Sequence, residues 1–170
     1  GLGSANNGGG SDGQEYTFNS GAATAGSYIY IASESTNFEA YLGLPPTDTA
    51  GAMSVNGDDA IELFCNGNVI DTFGDINVDG NGQAWEYLDG WAYRTAETGP
   101  DGDTFVLSNW SFSGANALDG ETSNDTAASV FSIKSYAEET GDGTDPTDPT
   151  DPTDPTDPTD PNVISGSVCT

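Results

Sequence analysis

Apolar and polar positions alternate in short runs along most of the chain. Over Ala60–Cys65 the period is two, with Ile61, Leu63 and Cys65 on one face. Asn66-Gly67 follows, a pair suited to the two left-handed positions of a type I′ turn, and Asn68–Phe73 returns as the partner strand. Residues 15–18 alternate as well, and 27–32 form an aromatic and β-branched run. Further strands are predicted at 84–87, 91–94, 104–107, 110–112 and 129–133. One helix is predicted over 37–42, with Thr36 as its cap, Glu39 at the capping-box position and Gly43 at its end. Many short strands separated by Gly, Asn and Asp turns, with almost no helix, predict an all-β antiparallel β-sandwich.

Composition narrows what such a fold can do. The 170 residues include 28 acids, two bases (Arg94 and Lys134) and no histidine, for a net charge of -26. Nucleic-acid affinity comes mostly from basic groups that release counterions, so no direct nucleic-acid binding is expected. There is no basic face for anionic lipid, and no apolar run approaches the roughly 18 residues of a membrane span. Without histidine there is no Ser-His or Cys-His nucleophile pair and no histidine zinc ligand. The chain carries no catalytic constellation and is expected to be non-catalytic. Scarce Lys and Arg, with abundant Asp, Gly, Thr, Ser and Asn, point to a secreted, extracellular protein.

The composition also divides the chain. Residues 1–136 hold all the aromatic side chains and are expected to form one folded domain. Residues 137–161 are an acidic joint followed by six Thr-Asp-Pro repeats. Proline at every third position matches the polyproline II turn, so this reads as a stiff spacer of about 56 Å at roughly 3.1 Å per residue. Residues 162–170 are apolar and β-prone, with Val163, Ile164 and Val168, and read as a donor strand or the start of a following domain. Cys65 and Cys169 allow one disulfide, within a chain or between two chains.

The sharpest motif runs from Asp75 to Glu86. Asp75, Asn77, Asp79, Gly80, Asn81 and Glu86 fit the twelve-residue calcium loop, in which alternate oxygen donors converge on one ion, glycine makes the turn and glutamate closes the shell. Its flanks read as strands, not the paired helices of an EF-hand. Calcium is the expected cofactor; the alternative is an Asx-rich turn. Asn56-Gly57-Asp58-Asp59 and Asp119-Gly120-Glu121 could each hold a second ion, but read first as solvated turns. Gly8–13 lacks the lysine of a phosphate loop and reads as a flexible turn. Trp85, Trp91 and Trp110 are expected in core packing rather than on a sugar-binding platform.

Three stretches resemble a known family. Asn56 to Leu63, the Asn66-Gly67 hairpin and Phe73-Gly74-Asp75 resemble the lamin-tail domain of bacterial exported proteins. Residues 85–94 and 116–122 resemble a subgroup found on secreted nucleases of marine bacteria. The resemblance covers roughly 1–136 and implies an immunoglobulin-like sandwich that is non-catalytic and precedes an enzyme domain. Its departures are a shortened opening before the Gly-rich segment and Cys65 where a polar residue is usual. Two readings follow. In the first, the sandwich self-assembles head-to-tail into a filament, the tail of one copy completing the sheet of the next. The alternative is an accessory N-terminal domain of a secreted nuclease whose catalytic domain lies further along. The expected partner is thus a copy of itself or a covalently following domain.

Overall fold

The computed structural model describes residues 1–19 and 26–136. The spacer and the tail, with Val163, Ile164, Val168 and Cys169, lie outside the described residues. In order along the chain come β1 (Leu2–Ala5), β2 (Ile31–Ala32), α1 (Thr36–Leu42), β3 (Asp48–Thr49), β4 (Ala60–Cys65), β5 (Asn68–Phe73), β6 (Ala92–Arg94) and β7 (Trp110–Phe112). The fold is small and β-rich, with mostly antiparallel sheets, one α-helix and four short 3-10 turns among the described residues. Strands β1-β4-β5 form one sheet, β6-β7 an antiparallel ribbon and β2-β3 a parallel pair. No helix among the described residues is long and apolar enough to cross a membrane.

The β4–β5 hairpin forms where its turn chemistry sets it. Asn66 and Gly67 take φ of 51° and 79°, both left-handed, which joins two right-twisted strands. Ile61 stands opposite Phe73 and Cys65 opposite Asn68, and a bulge at Ile70 shifts the register between Leu63 and Phe64. The two faces of β4 differ. Ala60, Glu62 and Phe64 are buried, whereas Ile61, Leu63 and Cys65 are only half-buried. The Gly-rich segment covers the buried face. Gly3 lies so close to Gly13 that a Cβ would stand 2.1 Å from the Gly13 carbonyl oxygen. Ser11 donates to the buried Glu62 carboxylate and Gly10 N–H to Ile76 O, so this segment is a packed cover rather than the expected flexible turn.

The helix begins at Thr36, one residue earlier than expected, and its cap is different. Neither Thr36 nor Ser35 caps through its side chain; the Glu34 carboxylate instead accepts the N–H groups of Thr36 and Asn37 at 2.8 and 2.9 Å. Gly43 ends the helix at φ 72°, as expected.

The hydrophobic centre is Phe73. It meets Trp85, Tyr87, Phe105, Trp110 and Phe112 with ring centroids 4.7 to 6.2 Å apart, mostly edge-to-face. Trp85 is buried in the core, Trp110 is half-buried against Phe73, and Trp91 packs on Phe131 while its indole donates to Ser129 O. Several predicted strands are absent. Residues 84–87 and 104–107 are irregular and serve the core with rings instead of ladders. Residues 129–133 are irregular because the buried Asn124 side chain accepts Phe131 N–H and donates to Phe131 O, replacing a strand neighbour. Of 15–18, Tyr16 alone bridges, to Leu2. Of 27–32, β2 occupies the last two positions.

Candidate functional site

The predicted calcium loop leaves the end of β5 at Gly74. Its carboxylates bond the loop's own backbone: Asp75 Oδ1 accepts Asn77 N–H, Asp79 Oδ1 accepts Asn81 N–H and Glu86 Oε2 accepts Gly82 N–H, at 2.9 to 3.0 Å. Such Asx turns shape the segment locally. Gly80 is required by packing rather than by a left-handed turn. Its φ is not in the left-handed region, and a Cβ there would stand 2.6 Å from the Trp85 ring. Gly80 N–H donates to Asp58 O at 3.0 Å, which ties the loop to the 56–59 turn. Among the described residues no group of three or more His, Cys, Asp or Glu stands placed to hold an ion.

That 56–59 turn splits into two roles. Asp59 is buried and structural: its carboxylate accepts Asn7 N–H at 2.9 Å and Asn56 N–H at 3.2 Å, fastening the N-terminal segment to β4. Asp58 Oδ1 is buried with no hydrogen-bond partner. Burial raises its carboxyl above the ordinary 3.8, and the charges of Asp59, Asp79 and Glu86 raise it further. Two of the five expected ligands, Asp79 and Glu86, therefore act on Asp58, a residue assigned by sequence to a separate turn. Gly57 allows the close approach, at φ 104°, with Leu88 Cα 2.4 Å from where a Cβ would lie. Tyr87 N–H donates to Gly57 O, and burial then the Asp59 and Asp58 charges raise the Tyr87 phenol. At the third acidic turn Glu121 Oε1 accepts Ala128 N–H, a structural bond.

Of the two bases, Arg94 is held in the body. Arg94 reaches across to Asp71 and, at 2.9 Å, to Asp101, and its guanidinium lies 4.4 Å from the Trp110 ring centroid. Asn109 also donates to Asp101.

Beside Trp110 is an apolar groove of about 350 Å³ lined by Val55, Ile61, Phe73, Tyr87, Trp91 and Trp110, among others. A second cavity of about 320 Å³ shares Gly90 and Trp91 with it and reaches Phe38, Tyr41 and Phe131. Trp110 Nε1 and the Tyr41 hydroxyl are buried without partners. Nothing in the sequence singles out the first groove, because its walls come from five separate stretches of chain. Cys65 stands on the same face of β4 as Ile61 and is disulfide-bonded. The chain's other cysteine is Cys169. Compared with protein-family models, curated proteins and solved structures, the chain matches none.

Proposed function

We propose that this chain is a non-catalytic extracellular module that assembles head-to-tail. Its β-rich body is read as an immunoglobulin-like, lamin-tail-like sandwich. In this reading the tail of one copy completes the sheet of the next. The observation that supports this reading is the half-open apolar face of the body. Ile61, Leu63 and Cys65 are half-buried, and the ribbon β6-β7 has two strands, where isolated two-stranded ribbons are marginal and a third strand adds stability. Calcium is proposed to brace the 75–86 loop through Asp75, Asn77, Asp79, Asn81 and Glu86; the spacing of the sequence motif supports it.

Light scattering after size exclusion, in calcium and without reductant, tests the assembly. The full chain is expected to run as large species and a chain stopped at Pro161 as a single copy. A single-copy mass for both would overturn the reading and favour the accessory domain of a secreted nuclease.

A further inference from the structure

We propose that Asn66 is a site of spontaneous modification: its side-chain amide converts, without an enzyme, to aspartate and isoaspartate through a cyclic imide formed with Gly67. This lies outside the assembly reading and does not depend on it.

The reaction sets what such a site must offer. The backbone nitrogen of the following residue loses its proton to solvent base and attacks the asparagine Cγ. The bond from Cγ to the side-chain nitrogen breaks, and ammonia leaves with a proton taken from solvent. Water then opens the imide. Attack at the side-chain carbonyl gives aspartate, and attack at the main-chain carbonyl gives isoaspartate. In sum one water is consumed, one ammonia is released and a neutral amide becomes a carboxylate. The site therefore needs a following residue with no Cβ in the way, a backbone N–H that nothing holds, and room for that nitrogen to swing onto Cγ.

Four Asn-Gly pairs meet the first need: Asn7-Gly8, Asn56-Gly57, Asn66-Gly67 and Asn81-Gly82. The fold removes three of them. Gly57 is buried against the Leu88 backbone, and the Asp59 carboxylate holds Asn56 N–H at 3.2 Å. Gly8 lies so close to Asp79 that a Cβ would stand 2.5 Å from its backbone nitrogen, and Asp59 also holds Asn7 N–H, at 2.9 Å. Neither pair can swing without undoing its packing. Gly82 is exposed, but its N–H donates to the Glu86 carboxylate at 3.0 Å. A carboxylate on that proton disfavours the amide anion that must attack.

Asn66-Gly67 keeps all three features. Both residues are exposed, and nothing stands within 4 Å of where a Gly67 Cβ would lie. Among the described residues no backbone carbonyl accepts Gly67 N–H. The nearby side-chain tie is a long one, from Asn68 Nδ2 to the Asn66 carbonyl at 3.4 Å. The product changes the turn that joins β4 to β5. Isoaspartate adds a carbon to the main chain of a two-residue loop whose length and twist match the strands, which loosens the Cys65–Asn68 pair at its base.

The test follows all four asparagines in the full chain, held folded in one sample and unfolded in urea in another, both in mildly alkaline heavy-oxygen water. Sampling continues until the urea sample has converted. After reduction and digestion, mass spectrometry with electron-transfer fragmentation separates aspartate from isoaspartate at each position, and the oxygen label excludes conversion during digestion. In the folded chain Asn66 is expected to lead the other three by at least about tenfold, because reaction at those sites waits on local opening. In urea the four are expected to convert within about threefold of one another, since the unfolded chain lacks these contacts. A folded lead no larger than the spread in urea would overturn the assignment. So would an Asn66 that stays intact in the fold while the urea sample converts, because the turn would then protect it.

Discussion

Arg94→Met isolates the energetics of the body. Arg94 is the hub of a partly buried ion triad: its side chain is 11% exposed, against 19% for Asp71 and 18% for Asp101. Methionine keeps much of the stem's packing but removes the charge, leaving two carboxylates under low-dielectric cover. Breaking a buried pair from one side costs about 3–5 kcal/mol, and the lost stacking on Trp110 adds about 1 kcal/mol. Since the triad keeps some solvent contact, screening discounts that sum to about 3 kcal/mol. For a body of this size that lowers Tm by about 9–15 °C. Thermal melts at neutral pH measure it. Burial raises the Asp101 carboxyl, but hydrogen bonds from Arg94 and Asn109 and the Arg94 charge outweigh it, leaving the carboxyl below 3.8. A carboxyl held low in the fold contributes stability above its unfolded value and loses it as pH falls through the folded value. The gap between native chain and variant should therefore be full at pH 7 and close below about 3.8. Adding Asp71→Asn and Asp101→Asn to the variant should recover part of the loss. A Tm drop under about 3 °C, or a gap that does not shrink in acid, would refute the triad's role.

Asp58→Asn tests the orphaned carboxylate. A carboxyl raised by burial makes the ionised form costly in the fold, so in EDTA at pH 7 the variant should melt higher than the native chain. Relative to the variant, the native chain should gain stability as pH falls through its raised Asp58 value toward 3.8. In millimolar calcium the order should reverse if the 75–86 loop holds an ion, and melts of both proteins with and without the metal read the sign. Phe73→Ala removes the ring on which five others pack and should cost about 3–5 kcal/mol by urea unfolding. Gly57→Ala meets both a left-handed φ and the Leu88 backbone, and should cost about 1–3 kcal/mol in the same assay.

The elements legible in the sequence are those set by local chemistry. Asn66-Gly67 needs no tertiary help to choose its turn, and it brought β4 and β5 into the expected ranges. The Gly43 helix end and the strand Trp110–Phe112 are of the same kind. Residues 84–87 misled because aromatic content was read as strand propensity. Trp85 and Tyr87 are there to meet Phe73, and the backbone beneath them turns. Residues 129–133 misled because a single side chain, Asn124, supplies the bonds a neighbouring strand would have made. In the acidic loops the sequence shows the alternation of Asp and Asn, but not that the charges of Asp79 and Glu86 bear on a buried Asp58. The ion triad was equally hidden: two bases among 28 acids name the scarce partner but not its contacts. Nor could period alone reveal that the apolar face of β4 stays half open while its Glu62 face is sealed by glycines.

The most direct measurement of assembly through the tail is isotopic. Native chains made in light and in 15N medium are mixed, reduced and reoxidised in calcium, then digested without reductant for mass spectrometry. Head-to-tail exchange predicts linked Cys65–Cys169 peptides of mixed light and heavy composition in about half of the pairs, the statistical share for bonds formed between randomly chosen copies. Linked pairs that are always light with light or heavy with heavy would place the bond within one chain and contradict the account.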